Sequence, residues 1–314
     1  MKSDILVVGE LNVDIILNQI DGFPALGTEI LADTMNVVLG SSSAIFASNS
    51  STMGSKVAFA GKIGKDDFAT KVMESLSQKA VDTSFVIIDD KVGTGATIVL
   101  NYGDNRCMVT YPGGMGCFSS SDVPDDALAK ANHLHVSSPF LQPELRPGLL
   151  DLFKRAKGNG MTTSMDPQWD PAEKWDLEWE AIFEYLDVFL PNEKEILAIT
   201  KAKDIEHAVA HFDALPQYLI IKQGNKGAAM LKEGQWHRHE GFENLQVIDA
   251  IGAGDSFDAG FIHAFVQGKS DMQCLRSGNL AGAINTTSEG GTGAFEDLAS
   301  VKNSALSNFK ETWN

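Results

Sequence analysis

Residues 249–255 read Asp-Ala-Ile-Gly-Ala-Gly-Asp and run directly into SFDAGFIHAFVQG. Phe257, Phe261 and Phe265 recur every four residues, which predicts a helix with a buried aromatic stripe and with Asp258 and His263 off that stripe. The join places Gly252, Ala253, Gly254 and Asp255 at the mouth of that helix. The first N–H groups of a helix have no partner within it, and its dipole is positive there, so the chemistry offered is anion binding. Glycine lets the backbone approach a phosphate because no Cβ stands between them. On its own, a carboxylate at this point is a cap or first-turn stabiliser, worth about 0.5–2 kcal/mol. Asp249 and the rest of the chain have to decide whether it is more.

Other polar groups stand where strands are expected to end. Asn12 and Asp14 follow the apolar run Ile5–Val8, and alternate positions of an extended chain point the same way, so they either grip sugar hydroxyls or form a solvated strand end. Gly40-Ser41-Ser42-Ser43 precedes a helical stretch ending near Gly54, and its serines are N-caps or small residues that admit a ligand. Asn192 with Glu195 three residues on is a capping box, and the pair also offers oxygens for magnesium and its waters. Lys222 closes a strand, with a hairpin at Gly224-Asn225-Lys226-Gly227 after it, and is either a surface lysine or a phosphate contact. Asp166, before Pro167, suits a turn or a substrate contact. His133 and His135 alternate on a strand with no third ligand nearby, so they are expected to be packed and not to hold metal.

These positions need a scaffold, and the chain supplies a repeating one. Apolar runs at Ile5–Val8, Val57–Ala60, His133–Val136, Met161–Met165, Val188–Leu190 and Tyr218–Ile221 alternate with helical patterns at 66–79, 144–157, 193–200 and 205–215. The alternation predicts an α/β fold, a mostly parallel sheet covered on both faces. Residues 11–36 and 85–111 are β-rich, carry turns at Asp21-Gly22 and Gly103-Asp104, and are expected to pair as a small projecting sheet. The chain beyond about residue 300 is polar and weakly patterned.

The 314 residues suit one domain with a small appendage, and a formal charge of −17 sets nucleic acid and anionic membranes aside as partners. Cys107, Cys117 and Cys274 form no disulfide or zinc pattern, no apolar run reaches membrane length, and Asp4, Glu10 and Asp14 interrupt the first twenty residues. A cytoplasmic protein is expected.

Gly9 with Asn12 and Asp14, the turn at Gly40, GKIGKDDFA at 61–69, Asp166, PNEKE at 191–195, KQGNKG at 222–227 and DAIGAGDSFDAGF at 249–261 together resemble the PfkB, or ribokinase-like, family of carbohydrate kinases. The similarity spans roughly residues 4–300. It implies a three-layer α/β/α sandwich, a single domain over 1–314, with 11–36 and 85–111 as a β lid that often makes homodimers. It implies ATP-dependent phosphorylation of a sugar hydroxyl, with Asp255 as base and the N–H groups of Gly252, Ala253 and Gly254 as anion hole. Asn192 and Glu195 would organise Mg2+, and Lys222, Gly224, Gly227 and Asn279 would lie along ATP. Asn12, Asp14, Gly40, Ser41, Arg106 and Asp166 would face the sugar. Asp249, with carbonyls at Ile251, Asn285 and Gly290, corresponds to a monovalent-cation site, for K+. The chain departs from the family at Ser41, where a second glycine is usual, at Ala44, where asparagine is expected, and at Ala250, where threonine is common. A nucleoside kinase of the same fold and a catalytically silent ligand-binding relative remain alternatives. A dinucleotide-dependent oxidoreductase does not, because the first strand leads into GELNVD and not into Gly-x-Gly-x-x-Gly.

Overall fold

Most strands of the larger sheet carry side chains that are buried on both faces, which requires a helix layer on each side of the sheet. In a computed structural model describing residues 2–102 and 105–313, the chain opens with strands β1 (Ser3–Val8), β2 (Asn12–Asn18) and β3 (Thr34–Leu39). It continues through α1 (Ser42–Thr52), β4 (Val57–Ile63), α2 (Asp67–Gln78), β5 (Asp82–Ile88), β6 (Gly95–Tyr102) and β7 (Asn105–Tyr111). Next come α3 (Asp125–Ala129), β8 (Ala131–Ser137), α4 (Leu149–Gly158), β9 (Thr162–Asp166), α5 (Trp179–Phe183), β10 (Val188–Phe189), α6 (Glu193–Thr200) and α7 (Ile205–Val209). The last part holds β11 (Tyr218–Lys222), β12 (Ala228–Lys232), β13 (Gln235–His239), α8 (Ala253–Val266), α9 (Asp271–Asn285) and α10 (Leu298–Phe309).

Among the described residues the main sheet runs β13-β12-β11-β10-β9-β8-β1-β4-β5, parallel from β11 to β5, with β12 and β13 antiparallel at one edge. Alternate residues of β1 divide between two cores. Ile5 and Val7 pack with α1, α2, α8, α9 and α10, whereas Leu6 and Val8 pack with α3 to α7. The result is a three-layer α/β/α sandwich. A second sheet, β3-β2-β6-β7, joins the two β-rich stretches, with β2 and β6 parallel.

Four expectations are corrected. Residues 85–88 belong to β5 at the edge of the main sheet and not to the small sheet, because Phe85 to Ile88 pair with Ala60 to Ile63. The helix expected over 144–157 begins at Leu149, since Pro147 lacks an N–H and sits in a short 3-10 turn at Arg146–Gly148. The pattern at 205–215 is helical only to Val209, and Phe212 reaches the core from the turn beyond. The stretch after 298 is a helix capped by Asp297, with Val301 and Ala305 buried. The Gly103-Asp104 turn lies outside the described residues.

The two histidines of β8 are packed, as the residue pattern indicates. Ser164 Oγ bridges His133 Nε2 at 2.7 Å and His135 Nδ1 at 2.8 Å, and the outer nitrogens meet Thr162 Oγ1 and Ser137 Oγ, each at 2.8 Å. Burial holds His135 neutral, its pKa lowered to about 3. His135 also stacks on Phe46 of α1 at 3.7 Å. Ser164→Ala strands two buried ring nitrogens, so it should destabilise the fold by roughly 2–4 kcal/mol while leaving the far-UV spectrum unchanged. Urea unfolding measures this, and a loss near zero would mean that the ring nitrogens do not depend on Ser164.

Candidate active site

Helix α8 begins where the sequence places its mouth. Gly252 is the N-cap at φ 76°, and a Cβ there would come within 2.5 Å of the Gly291 Cα, so both the left-handed backbone and the close approach require glycine. Ala253 N–H makes a long bond of 3.3 Å to the Ala250 carbonyl, and Ser256 N–H closes the first turn on the Gly252 carbonyl at 2.8 Å. The turn is held from behind by a buried chain of polar groups. Asn285 Nδ2 donates to the Ile251 carbonyl at 2.6 Å, Ser256 Oγ donates to Asn285 Oδ1 at 2.8 Å, and Asn49 Nδ2 donates to Ser256 Oγ and to the Gly291 carbonyl, each at 2.9 Å. Asp249 ties the same loops, accepting from Ile251 N–H and Gly290 N–H at 2.9 Å each.

A cavity of about 650 Å³ opens over this turn, lined among others by Gly252, Ala253, Gly254, Asp255, Lys222 and Gln168. Asp255 is only 7 % exposed, and burial together with the charge of Asp166 raises its pKa to about 7. Its Oδ1 accepts from Gln168 Nε2 at 2.8 Å. Asn192, Glu195, Gly224, Gly227, Asn279 and Arg106 border the same cavity. Asn192 and Glu195 form the full capping box of α6, and burial pushes the Glu195 carboxyl up to about 8. Asn279 of α9 donates to the His239 carbonyl at 3.0 Å, fixing the cavity's far wall. Gly227 adopts φ 94°, and a Cβ would meet the His239 carbonyl oxygen at 2.1 Å.

Asn12, Asp14 and Gly40 come together, but none of them is among the residues lining this cavity. Asn12 Nδ2 donates to Asp14 Oδ1 at 3.1 Å and to Thr97 Oγ1 at 3.0 Å, and a Cβ on Gly40 would collide with Asp14 Oδ1 at 2.2 Å. Burial raises Asp14 to about 6, and the exposed Arg106 across the small sheet acts against that rise. Ser41 is the N-cap of α1 at φ 72°, its hydroxyl donating to the Glu10 carbonyl and accepting from Ala44 N–H, so it is engaged locally.

Four residues differ from expectation. Lys222 is not a surface lysine. It is 8 % exposed, donating to Asp166 Oδ2 at 2.7 Å and to Asp258 Oδ1 and Oδ2 at 3.2 and 3.0 Å. Burial would lower its pKa, but Asp166, Asp258 and Glu195 outweigh that and raise it. Asp166 is fully buried with both oxygens bonded, by Lys222 and Gln168, and it is not among the residues that line the cavity. Asp258 and His263 are buried, because α8 is enclosed on all sides between α1, α9 and the sheet. The sequence reading also passed over Gln168 and Glu10. Glu10 is a buried carboxyl at the end of β1 that accepts from Ser43 Oγ at 2.5 Å and Gln142 Nε2 at 3.2 Å, and its only signal was an acid ending an apolar strand. Among the described residues no cluster of three or more His, Cys, Asp or Glu side chains is arranged to hold a metal, and no helix is long and apolar enough to cross a membrane.

Comparison with known proteins adds to the geometry. The family described as pfkB family carbohydrate kinase matches residues 2–298. Ribokinase of Haemophilus influenzae is 25% identical over 301 residues, 92% of this chain and 94% of that one. The 2-dehydro-3-deoxygluconokinase of Bacillus subtilis is 25% identical over 303 residues, 92% of this chain and 91% of that one. Among solved structures, Arabidopsis thaliana ribokinase complexed with ribose and ATP superposes with a TM-score of 0.83 at 23% identity, covering 97% of this chain and 99% of that one, a likeness of fold.

The raised carboxyls make the site visible to pH. Folded Asp255 and Glu195 keep protons up to about pH 7 and 8 that an unfolded chain releases near pH 4, so unfolding above pH 6.5 releases protons and stability falls as pH rises. Urea midpoints measured between about pH 6.5 and 8 should therefore decline, and Glu195→Gln should flatten the decline. A wild-type midpoint rising through that window would contradict the assignment of bound protons.

Proposed function

The chain belongs to the pfkB family of carbohydrate kinases, and from that membership we propose that it transfers the γ-phosphoryl group of ATP to a hydroxyl of a sugar or sugar-like acceptor, with Asp255 as the base. The observation that carries the proposal is the position of Asp255, a nearly buried carboxylate on the wall of the cavity at the opening of α8. Phosphoryl transfer needs an alcohol in line with the γ-phosphate and support for the charge on its oxygens. The N–H groups at Gly252, Ala253 and Gly254 supply positive potential where that charge gathers, and Asp255, with a pKa near 7, is matched to take the alcohol's proton at neutral pH. The proton moves from the hydroxyl to the carboxylate as the new O–P bond forms and the bond to ADP breaks.

Lys222, Gly224, Gly227 and Asn279 line the arm of the cavity suited to the nucleotide. Asn12, Asp14, Gly40 and Ser41 are assigned to the sugar side, with Arg106 at the rim. The family implies Mg2+, and the oxygens of Asn192 and Glu195 fit its preference for hard ligands, although Glu195 has to give up its proton to serve. Magnesium, when bound there, would neutralise charge on the phosphates. Asp249 with the carbonyls of Ile251, Asn285 and Gly290 would give K+ an all-oxygen site, a reading supported by Asp249 bridging the two loops concerned. The small sheet is assigned the role of lid, closing over the sugar to limit hydrolysis of ATP. Its exposed Met35, Ile98 and Val109 support assigning it as the surface of a homodimer.

Asp255→Asn should lower kcat by roughly 10²–10⁴-fold while binding ATP normally, read by coupled ADP release over a panel of ketoses, aldoses, sugar acids and nucleosides. Turnover at the wild-type rate would remove Asp255 from the role. Potassium should raise the rate over a buffer free of potassium and sodium, and identical rates in the two would remove the cation site.

A further inference from the structure

Gln168 occupies an unusual place for a long side chain. It follows Pro167 in a left-handed conformation, φ 51°, which residues other than glycine, asparagine and aspartate seldom adopt. Backbone strain of this sort persists only where the surroundings impose it, and it collects at functional sites. Here the surroundings are identifiable. The Gln168 N–H donates to Asp166 Oδ1 at 3.1 Å, and its Nε2 donates to Asp166 Oδ2 at 2.7 Å and to Asp255 Oδ1 at 2.8 Å. The two amide hydrogens are therefore each committed to a different carboxylate. Turning the amide round would set Oε1 against Asp166, held as an anion by Lys222, so the chemistry of that neighbour fixes its orientation. Asp166 is itself anchored by Lys222 Nζ at 2.7 Å, and Lys222 reaches Asp258 one turn along α8 from Asp255. A continuous chain thus runs from α8 through Lys222, Asp166 and Gln168 back to α8.

We propose that Gln168 is a positioning residue for the transfer: it pins Oδ1 of Asp255, setting the plane of the carboxyl group and which oxygen takes the acceptor's proton. This rests on the assignment of Asp255 as base. Gln168 lies on the wall of the cavity beside Asp255, so it acts at the point where acceptor and phosphate meet. It also acts on charge. Asp166 and Glu10 oppose ionisation of Asp255, and Lys222 and the Ser42 hydroxyl favour it. Glu195 also faces Asp255 electrostatically from α6. Gln168 lies between the two aspartates and donates to each, so it offsets their mutual repulsion. A hydrogen bond to the ionised form favours that form, so losing it raises the pKa.

Two variants test this. Gln168→Met keeps the length and removes the donor. Gln168→Asn keeps an amide one methylene too short and tolerates left-handed backbone, so it serves if the methionine variant does not fold. The probe is the carboxyl carbon-13 resonance of Asp255, identified as the signal missing from Asp255→Asn, titrated in the full chain without ligand. Both variants should raise the Asp255 pKa by about one unit, and lower kcat about tenfold at neutral pH with recovery toward higher pH. The KM for ATP should stay within about twofold, measured with the best acceptor from the panel, because the lost contact is to the base and not to nucleotide. An unmoved Asp255 titration, a kcat loss equal at every pH, or an effect carried by the KM for ATP would each overturn the proposal. Full turnover by Asp255→Asn would remove the base assignment and this proposal together. An inactive Asp255→Asn beside unchanged titrations in the Gln168 variants would remove this proposal alone.

Discussion

The ammonium group of Lys222 is the counter-charge on which the site depends. It stands in the cavity wall, bonded to Asp166 from the end of β9 and Asp258 from the second turn of α8, with Glu195 of α6 in its field. Removing a charge from water costs several kcal/mol, and the cost is offset only when partners are close and fully bonded. Those partners come from three elements far apart in sequence. Pairing them fixes the ends of β9 and β11 against the start of α8. The loop carrying Gly224 and Gly227 follows Lys222 directly, so the nucleotide side of the cavity is held to the same point.

From that constraint the electrostatics of the site follow. Several carboxyls crowd around one lysine, so not all can ionise, and Asp258 is pushed well up by burial and shares a hydrogen bond with Asp166. Asp255, at the cavity wall, is left near neutrality, which suits a base for an alcohol. The opposite requirement is met a few residues earlier. The Gly252 turn must present N–H groups, and the Asn49–Ser256–Asn285 chain occupies the neighbouring carbonyls of Ile251 and Gly291, so the turn cannot relax into another shape. A negative acceptor of protons and a positive cradle for phosphate thus stand side by side on one helix.

Much of this was legible in the chain. The alternation of apolar runs and helical patterns gave the parallel sheet, and the Gly252-Ala253-Gly254-Asp255 join gave the helix mouth, because both depend on local periodicity and on glycine's backbone freedom. What escaped depended on long-range packing. Lys222 read as either a surface lysine or a phosphate contact, because nothing near it in sequence announces two acids, 56 and 36 residues away, that bury it. Asp166 read as a ligand contact because its strand-end position is right, while its engagement by Lys222 and Gln168 is visible only in three dimensions. Asp258 fell off the aromatic stripe, yet α8 is enclosed all round. Gln168 carried no signal at all, since a glutamine after proline gives no hint of left-handed backbone. The β-rich stretch at 85–111 was overextended by four residues because a strand of the main sheet edge and one of the small sheet look alike in composition.

The central claim is that the phosphoryl group passes over the opening of α8 beside the carboxylate of Asp255. The most direct measurement is a crystal structure with a non-hydrolysable ATP analogue, magnesium and an acceptor sugar bound together. The account predicts the terminal phosphate against the N–H groups of Gly252 to Gly254, and an acceptor hydroxyl hydrogen-bonded to Asp255. A terminal phosphate seated elsewhere, with no acceptor oxygen within reach of Asp255, would contradict it.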